Sequence, residues 1–469
     1  MLFNSYGYLF LFLPIALAGY FALQRHSTLA LAWLTAASLF FYAWWNPWHL
    51  PLVAGSIIFN FWVGRVLLQR PPGRRRGWLV FGVVANLVML GVYKYLAFGA
   101  SIAAGLGIAL SVPALALPLG ISFFTFTQIA YLVDTAKGEV RETHPVHYAL
   151  FVTFFPHLLA GPIIHHREMM PQFAETAGRR FDAGNFARGL FLLAIGLAKK
   201  TMIADPLGEH ANAGFAAVSG LDWAGAWATT LSYTFQIYFD FSGYTDMALG
   251  AALMFNIRLP VNFNSPYLAR NIREFWRNWH MTLSRFLRDY VYLPLGGNRL
   301  GRAREAGNLM ATFVLGGLWH GAGWTFIVWG ALHGLALVIH RLWLRSGIVL
   351  PRVAAIALTF LFVHTTWVFF RAANLADAFT LIGKLLPAAA DLRAFAAAAA
   401  LPAPGLPFAA PPLPLLMMIA ALLAMLPWNS NRLCERFRAR PWQGLATGVL
   451  LAASVLTLGR ATQFLYFNF

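Results

Sequence analysis

The stretch from Asn256 to Arg341 holds the densest run of charge, aromatic rings and histidine in an otherwise oily chain. Near its end His320 stands in Gly316-Gly-Leu-Trp-His320-Gly-Ala-Gly-Trp-Thr325. A neutral imidazole can take a proton from a hydroxyl as it attacks a thioester carbonyl, and its pKa needs little tuning for that task. The small neighbours allow backbone and substrate to approach closely. An ionisable side chain inside an apolar segment reads first as functional and second as a hydrogen-bonded packing residue. His280, in Trp276-Arg-Asn-Trp-His280, is the second candidate, to orient an acyl donor or carry a second proton. Its tryptophan neighbours equally suit interface anchoring. Two isolated histidines without a nearby carboxylate pair fall short of a zinc set, so no metal is expected. His333 reads as a packing residue; His364 and His157 give no sharp signal.

Four arginines, Arg273, Arg277, Arg285 and Arg288, belong to a basic layer between Arg258 and Arg304. They would gather an anionic donor, although topology alone accounts for many basic loops. Asp240 and Asp246 lie among apolar and aromatic residues, and pairing with arginines of this layer is the expected, structural, role. Tyr466 sits in the aromatic tail Phe464-Leu-Tyr-Phe-Asn-Phe469. It reads as an interfacial anchor, or as an acyl acceptor or docking strip.

These residues need a scaffold, and composition names its class. Of 469 residues 59% are hydrophobic and 11% charged, against roughly a quarter charged in soluble domains. Apolar runs of spanning length recur along the chain. The fold expected is an all-α polytopic membrane protein with roughly 10–12 transmembrane helices plus short re-entrant and amphipathic helices around a central funnel. It reads as one domain: N-terminal helices over 1–135, a catalytic core over 146–345 and C-terminal helices over 351–469. The net charge is +18, but the arginines lie between apolar segments, so nucleic acid is not the partner; the lipid bilayer is. Basic loops mark the cytoplasmic side. The single cysteine, Cys434, permits no internal disulfide and no cysteine metal site. Leu9 to Leu23 reads as a retained first helix, not a cleaved leader.

In order, spans are expected at Phe3–Leu23, Leu29–Trp45, Leu52–Leu68, Trp78–Phe98 and Pro113–Val133, with Ser101–Leu110 a partial segment. The basic loop Gln69–Arg76 is placed inside, and both termini fall in the periplasm. Phe151–Ile164, broken by Pro and Gly, reads as re-entrant. Two segments, Trp223–Phe239 and Gly243–Phe255, flank Asp240 and Asp246. From Asn308 to Ile339 the chain must enter and return, each limb reaching about 24 Å of a core roughly 30 Å thick. That puts a turn at Gly316-Gly317 and Gly321-Ala-Gly323 within the membrane; two tilted full spans with His320 near the far surface are the alternative.

Tyr238-Phe-Asp-Phe-Ser-Gly-Tyr-Thr-Asp246, Phe275-Trp-Arg-Asn-Trp-His-Met-Thr-Leu-Ser284, Tyr290-Val-Tyr-Leu-Pro-Leu-Gly-Gly-Asn298 and Leu318-Trp-His-Gly-Ala-Gly-Trp-Thr325 together resemble the membrane-bound O-acyltransferase (MBOAT) family. The likeness is to its bacterial branch, typified by alginate O-acetyltransferase and related peptidoglycan and cellulose O-acetylation proteins. The opening Phe3–Phe10, Ala160-Gly-Pro-Ile163 and the aromatic tail also fit; the Ala/Pro-rich loop Pro387–Pro412 is not matched. The resemblance implies His320 as the catalytic histidine and His280 as a second motif histidine. It implies a funnel through the bacterial inner membrane, with acetyl-CoA or another cytosolic acetyl thioester as donor substrate and no bound cofactor. The acceptor implied is an extracytoplasmic polysaccharide, with a periplasmic serine-hydrolase-like acetyltransferase as partner and Tyr466 as a relay. D-alanyl transfer to teichoic acid, a transporter or flippase, and a polymer-export scaffold remain alternatives at this stage.

Overall fold

The computed structural model describes residues 1–140, 142–175, 180–387, 412–458 and 464–465, and every regular element among them is helical. In a lipid setting that is the economical answer, since a helix satisfies its own backbone groups. Four helical stretches are long and apolar enough to cross a bilayer: Pro47–Gln69, Pro72–Gly105, Trp324–Ser346 and Arg352–Arg371. Four shorter apolar helices accompany them, Tyr8–Ala22, Ser27–Ala43, Leu413–Ala424 and Pro441–Leu456. The chain is a multi-pass membrane protein.

Helix α1 (Arg75–Leu90) runs through a π-helical turn, Gly91–Tyr95, straight into Leu96–Gly105. The partial segment expected from Ser101 is therefore the end of this rod. The return helix α2 starts at Ile121 and ends at Lys137, not at Pro113. Pro113 and Pro118 lack the backbone N–H and hold the preceding residues out of helical geometry. Around Phe151–Ile164 the backbone breaks into Pro145–Thr153, Phe155–Leu158 and irregular chain, and residues 151–164 are all buried. Irregular backbone survives there because protein surrounds it.

Helix α3 (Ala183–Ala198) is followed by a π turn, Lys199–Ala204, and packs on α4 (Trp223–Met254). Helix α4 corrects the expectation of two segments: 32 residues run unbroken through Asp240 and Asp246. The carboxylates cause no break because lysines of the π turn meet them. Lys200 Nζ lies 2.6 Å from Asp240 and 2.7 Å from Asp205, and Lys199 Nζ 2.6 Å from Asp246. The partners are lysines of the neighbouring helix, not arginines of the basic layer. Close approach of α3 and α4 rests on two glycine pairs spaced seven residues apart on each helix. A methyl on Gly196 would fall 2.5 Å from the Gly243 carbonyl oxygen, and one on Gly189 2.6 Å from that of Gly250.

The basic layer folds as two short helices, α5 (Ile272–Asn278) and α6 (Met281–Leu287), ending in a π turn at Arg288–Tyr292. Then come α7 (Arg302–His320), α8 (Trp324–Ser346) and α9 (Arg352–Arg371). With 19 and 23 residues, α7 and α8 are about 28 and 34 Å long. These limbs exceed the expected 24 Å because each helix continues into its charged flank. The turn is Gly321-Ala-Gly323 alone; Gly316 and Gly317 are helical, and Gly317 lets α8 approach at Phe326. At the far end of the chain the Leu465 amide donates to Asp240 Oδ2 at 2.9 Å and the Phe464 ring packs on Tyr244 at 4.6 Å. Tyr466 lies outside the described residues.

Removing one partner of a buried ion cluster costs about 3–5 kcal/mol. Lys200→Met, which withdraws the cation shared by Asp240 and Asp205, is expected to lose most of its folded yield and melt far below wild type in detergent. A melt within a degree or two of wild type would contradict the role given to the cluster.

Candidate active site

Helix α7 ends on His320 because Gly321 turns extended, at φ −158° and ψ 148°. The imidazole is 2% exposed. Rings enclose it: Trp319 at 4.9 Å, Phe370 at 5.0 Å and Trp329, edge-on, at 5.2 Å. A helix that stops inside a protein leaves its last carbonyls without intrahelical partners. Here α1's π turn supplies donors. Lys94 Nζ donates to the carbonyls of Trp319 (2.5 Å) and His320 (3.2 Å) and to Ser122 Oγ (3.2 Å), and the Tyr95 hydroxyl to the Leu318 carbonyl (2.6 Å).

His280 caps α6 in the left-handed region, φ +43°, and is fully buried. A residue with a side chain stays in that conformation only where its surroundings over-determine it. Asn262 does much of that. Its Oδ1 accepts from the Thr282 amide (3.2 Å), the Thr282 hydroxyl (3.0 Å) and His280 Nδ1 (3.1 Å). Thr282 Oγ1 in turn accepts from the Ile163 amide at 2.9 Å, tying in the broken segment. Because an amide oxygen only accepts, the bond assigns the proton to Nδ1 and leaves Nε2 as the acceptor nitrogen of the neutral ring. The His280 and His320 ring centroids are 6.4 Å apart. Residues forty apart in sequence thus share one buried chamber.

His333, His364 and His157 each have an ordinary partner on at least one ring nitrogen. His333 Nδ1 accepts from Trp276 Nε1 at 3.2 Å and its Nε2 faces Thr366 Oγ1 at 3.0 Å. His364 Nδ1 faces Thr234 Oγ1 at 2.8 Å, and His157 Nε2 the Phe151 carbonyl at 2.9 Å. Among the described residues no group of three or more His, Cys, Asp or Glu side chains is placed to hold a metal ion.

Arg273, Arg277, Arg285 and Arg288 all line a single cavity of about 480 Å³, together with Trp276 and Thr282. Arg285 forks onto Glu168, with Nη2 to Oε2 at 2.9 Å, and Arg288 onto Asp289 at 2.7 and 3.0 Å. Neither Arg273 nor Arg277 has a carboxylate within 4.0 Å among the described residues, which leaves their charge uncompensated at the cavity wall. The cavity stops short of the imidazoles. The Trp276 ring closes it, 5.7 Å from Trp329, which faces His320. Trp276 and Trp329 therefore lie in line between the basic cavity and His320, while on the His280 side Met281 and Thr282 line the cavity.

Lys94, Tyr95, Asn262 and Thr282 were not among the residues singled out from sequence. Lys94 had a usable signal, a lone cation in the apolar run Trp78–Phe98. Asn262 and Thr282 had none of their own, since polar residues in motif-rich segments are common.

Residues 12–373 match the model described as MBOAT, membrane-bound O-acyltransferase family. The chain is 47% identical over 412 residues to a protein named peptidoglycan O-acetyltransferase from Helicobacter pylori, covering 81% of this chain and 78% of that one. It is 42% identical over 388 residues to the probable alginate O-acetylase AlgI of Pseudomonas aeruginosa, covering 80% and 73%. A teichoic acid D-alanyltransferase from Bacillus subtilis shares 29% over 263 residues, covering 52% and 66%.

Asn262→Ala removes the acceptor that organises three donors. Leaving buried donors unsatisfied costs about 1–3 kcal/mol for each, so this variant should melt several degrees lower and lose the greater part of its activity. A variant with wild-type rate would show that the His280 anchor does not matter to the site.

Proposed function

The chain belongs to the membrane-bound O-acyltransferase family and is an acyltransferase, and from that premise we propose that it carries an acetyl group from a cytosolic thioester across the inner membrane to hydroxyls of an extracytoplasmic polysaccharide. The observation that carries this reading is the pairing of a buried His320–His280 chamber with an arginine-lined cavity two indoles away. Acetyl-CoA, or another acetyl thioester, is the donor substrate. Arg273 and Arg277 attract its anionic part, and Arg285 and Arg288, already on carboxylates, shape the wall.

In the chemical step a hydroxyl oxygen attacks the thioester carbonyl. His320 takes the hydroxyl proton as general base. As the tetrahedral intermediate collapses, the carbon–sulfur bond breaks, an ester forms, and the proton passes to the departing thiolate. His280 orients donor or acceptor through Nε2, its ring fixed by Asn262. The closed aromatic surroundings exclude water that would otherwise hydrolyse the thioester. The direct line from the cavity to His320 runs past the Trp276 and Trp329 rings.

The names of the most similar relatives favour peptidoglycan or an alginate-like exopolysaccharide as acceptor; cellulose is a third candidate. On the basic-loop rule the 69–76 loop faces the cytosol and both termini face the periplasm. There a serine-hydrolase-like acetyltransferase would receive the group, and Tyr466 would hold it in passing. The D-alanyl alternative rests on a match of lower identity covering about half of this chain. Donor choice separates the two.

Three results are expected. The protein should cleave acetyl-CoA, or the acetyl thioester of a carrier, in the presence of acceptor glycan; turnover of a D-alanyl carrier alone would replace the acetyl reading. Arg273→Glu/Arg277→Glu should raise KM for acetyl-CoA by about ten-fold or more with kcat little changed, since hydrogen bonds to charged groups contribute about 1.5–3 kcal/mol; an unchanged KM would remove the donor-binding role. Tyr466→Phe should stop polymer acetylation at equal expression, and unchanged acetylation would exclude the relay.

A further inference from the structure

We propose that Lys94 and Tyr95 are positioning residues for His320, acting from the π turn of a distant helix as a cap on the catalytic helix. This rests on the reading of His320 as the base. Helix α7 ends at His320, and the carbonyls of Leu318, Trp319 and His320 are among the four that no helix can satisfy internally. Helix ends at a surface give such carbonyls to water. Here Lys94 is buried, and all three are taken by two consecutive side chains of another element.

The assignment as positioning residues follows from donor arithmetic. An ammonium has three N–H donors, and Lys94 has three acceptors in reach, the third being Ser122 Oγ on α2. None is left for a developing oxyanion, so Lys94 acts on the helix and not on the substrate. In its ammonium form Lys94 also lies against the negative end of the α7 dipole. Tyr95 is likewise committed to one carbonyl. In an α-helix consecutive side chains point about 100° apart. The π turn at Gly91–Tyr95 carries more residues per turn and so narrows that angle, which lets neighbours 94 and 95 reach the same helix end.

The consequence is for the rate, not for binding. The arginines of the cavity stand on α5, α6 and the π turn after them; α7 contributes Leu309, Thr312 and Phe313, which lie about two turns or more before its capped end, and Lys94 is not part of the lining. Freed carbonyls would fray the last turn of α7, moving the imidazole, and a displacement of about 1 Å can cost about 10²-fold in rate. Acetyl transfer from acetyl-CoA to glycan is measured for wild type, Lys94→Met, Tyr95→Phe and His320→Ala, with melting temperatures alongside. Lys94→Met should lose about 10²-fold in kcat with KM for acetyl-CoA within about two-fold. Tyr95→Phe, which lacks one hydroxyl and keeps its ring, should melt close to wild type and still lose several-fold in kcat; it decides the matter if Lys94→Met does not fold. Both variants at wild-type kcat, or a change confined to KM, would overturn the positioning role. If His320→Ala turns over like wild type, the base assignment falls and the cap proposal with it. If His320→Ala is inactive while Tyr95→Phe and Lys94→Met are fully active, the cap proposal alone falls.

Discussion

The helix that carries His320 stops inside the protein, and a buried helix end must find donors for its last carbonyls. This requirement ties the N-terminal third of the chain to the centre. Lys94 and Tyr95 reach across more than two hundred residues of sequence to meet Leu318, Trp319 and His320. Ser122 closes the same knot from α2. With the carbonyls satisfied, the chain can turn through Gly321-Ala-Gly323, where a side chain at position 321 would clash with the Phe326 ring, and return as α8. The imidazole is then set among rings that α7, α8 and α9 provide. The second histidine depends on a parallel device. One amide oxygen, on Asn262, holds a left-handed residue and the helix that follows it.

Around this centre the frame is rigid where it must be. Glycine pairs bring α3 and α4 into backbone contact, and Lys199 and Lys200 neutralise the carboxylates that α4 carries through the interior. The same cluster receives the Leu465 amide, so the described end of the chain is seated on it. The chemistry has a division of labour that follows from physics. On the proposed function, anionic groups gather where arginines meet a cavity, and proton transfer belongs to the buried His320 and His280. Trp276 and Trp329 stand in line between the cavity and His320.

Much of this was legible in the chain, and what was not had reasons. His320 and His280 stand out because an ionisable residue in an oily segment has no local excuse. The four arginines could be grouped by charge alone, although their meeting in one cavity depends on how α5 and α6 fold. The aspartates were misassigned because sequence shows the nearest dense charge, the arginines, and not the lysines that α3 brings alongside. For the same reason α4 looked like two segments: without its partners, Asp240 reads as a break. The α7–α8 limbs looked too short because charged flanks were taken as helix ends, whereas arginines at a helix end continue it readily. The Lys94 contact left no local pattern at all, since its partners lie on the other side of the fold. Even so, a lone lysine in an apolar run was a signal to be weighed.

The central claim is that His320 drives transfer of an acetyl group from one face of the membrane to the other. It is tested most directly in inverted membrane vesicles holding equal amounts of wild type or His320→Ala. Acetyl-labelled coenzyme A is supplied outside, and the periplasmic acetyltransferase partner with glycan acceptor is enclosed in the lumen. Label should appear on lumenal glycan with wild type and fall to background with His320→Ala. Equal lumenal label from both proteins would contradict the account.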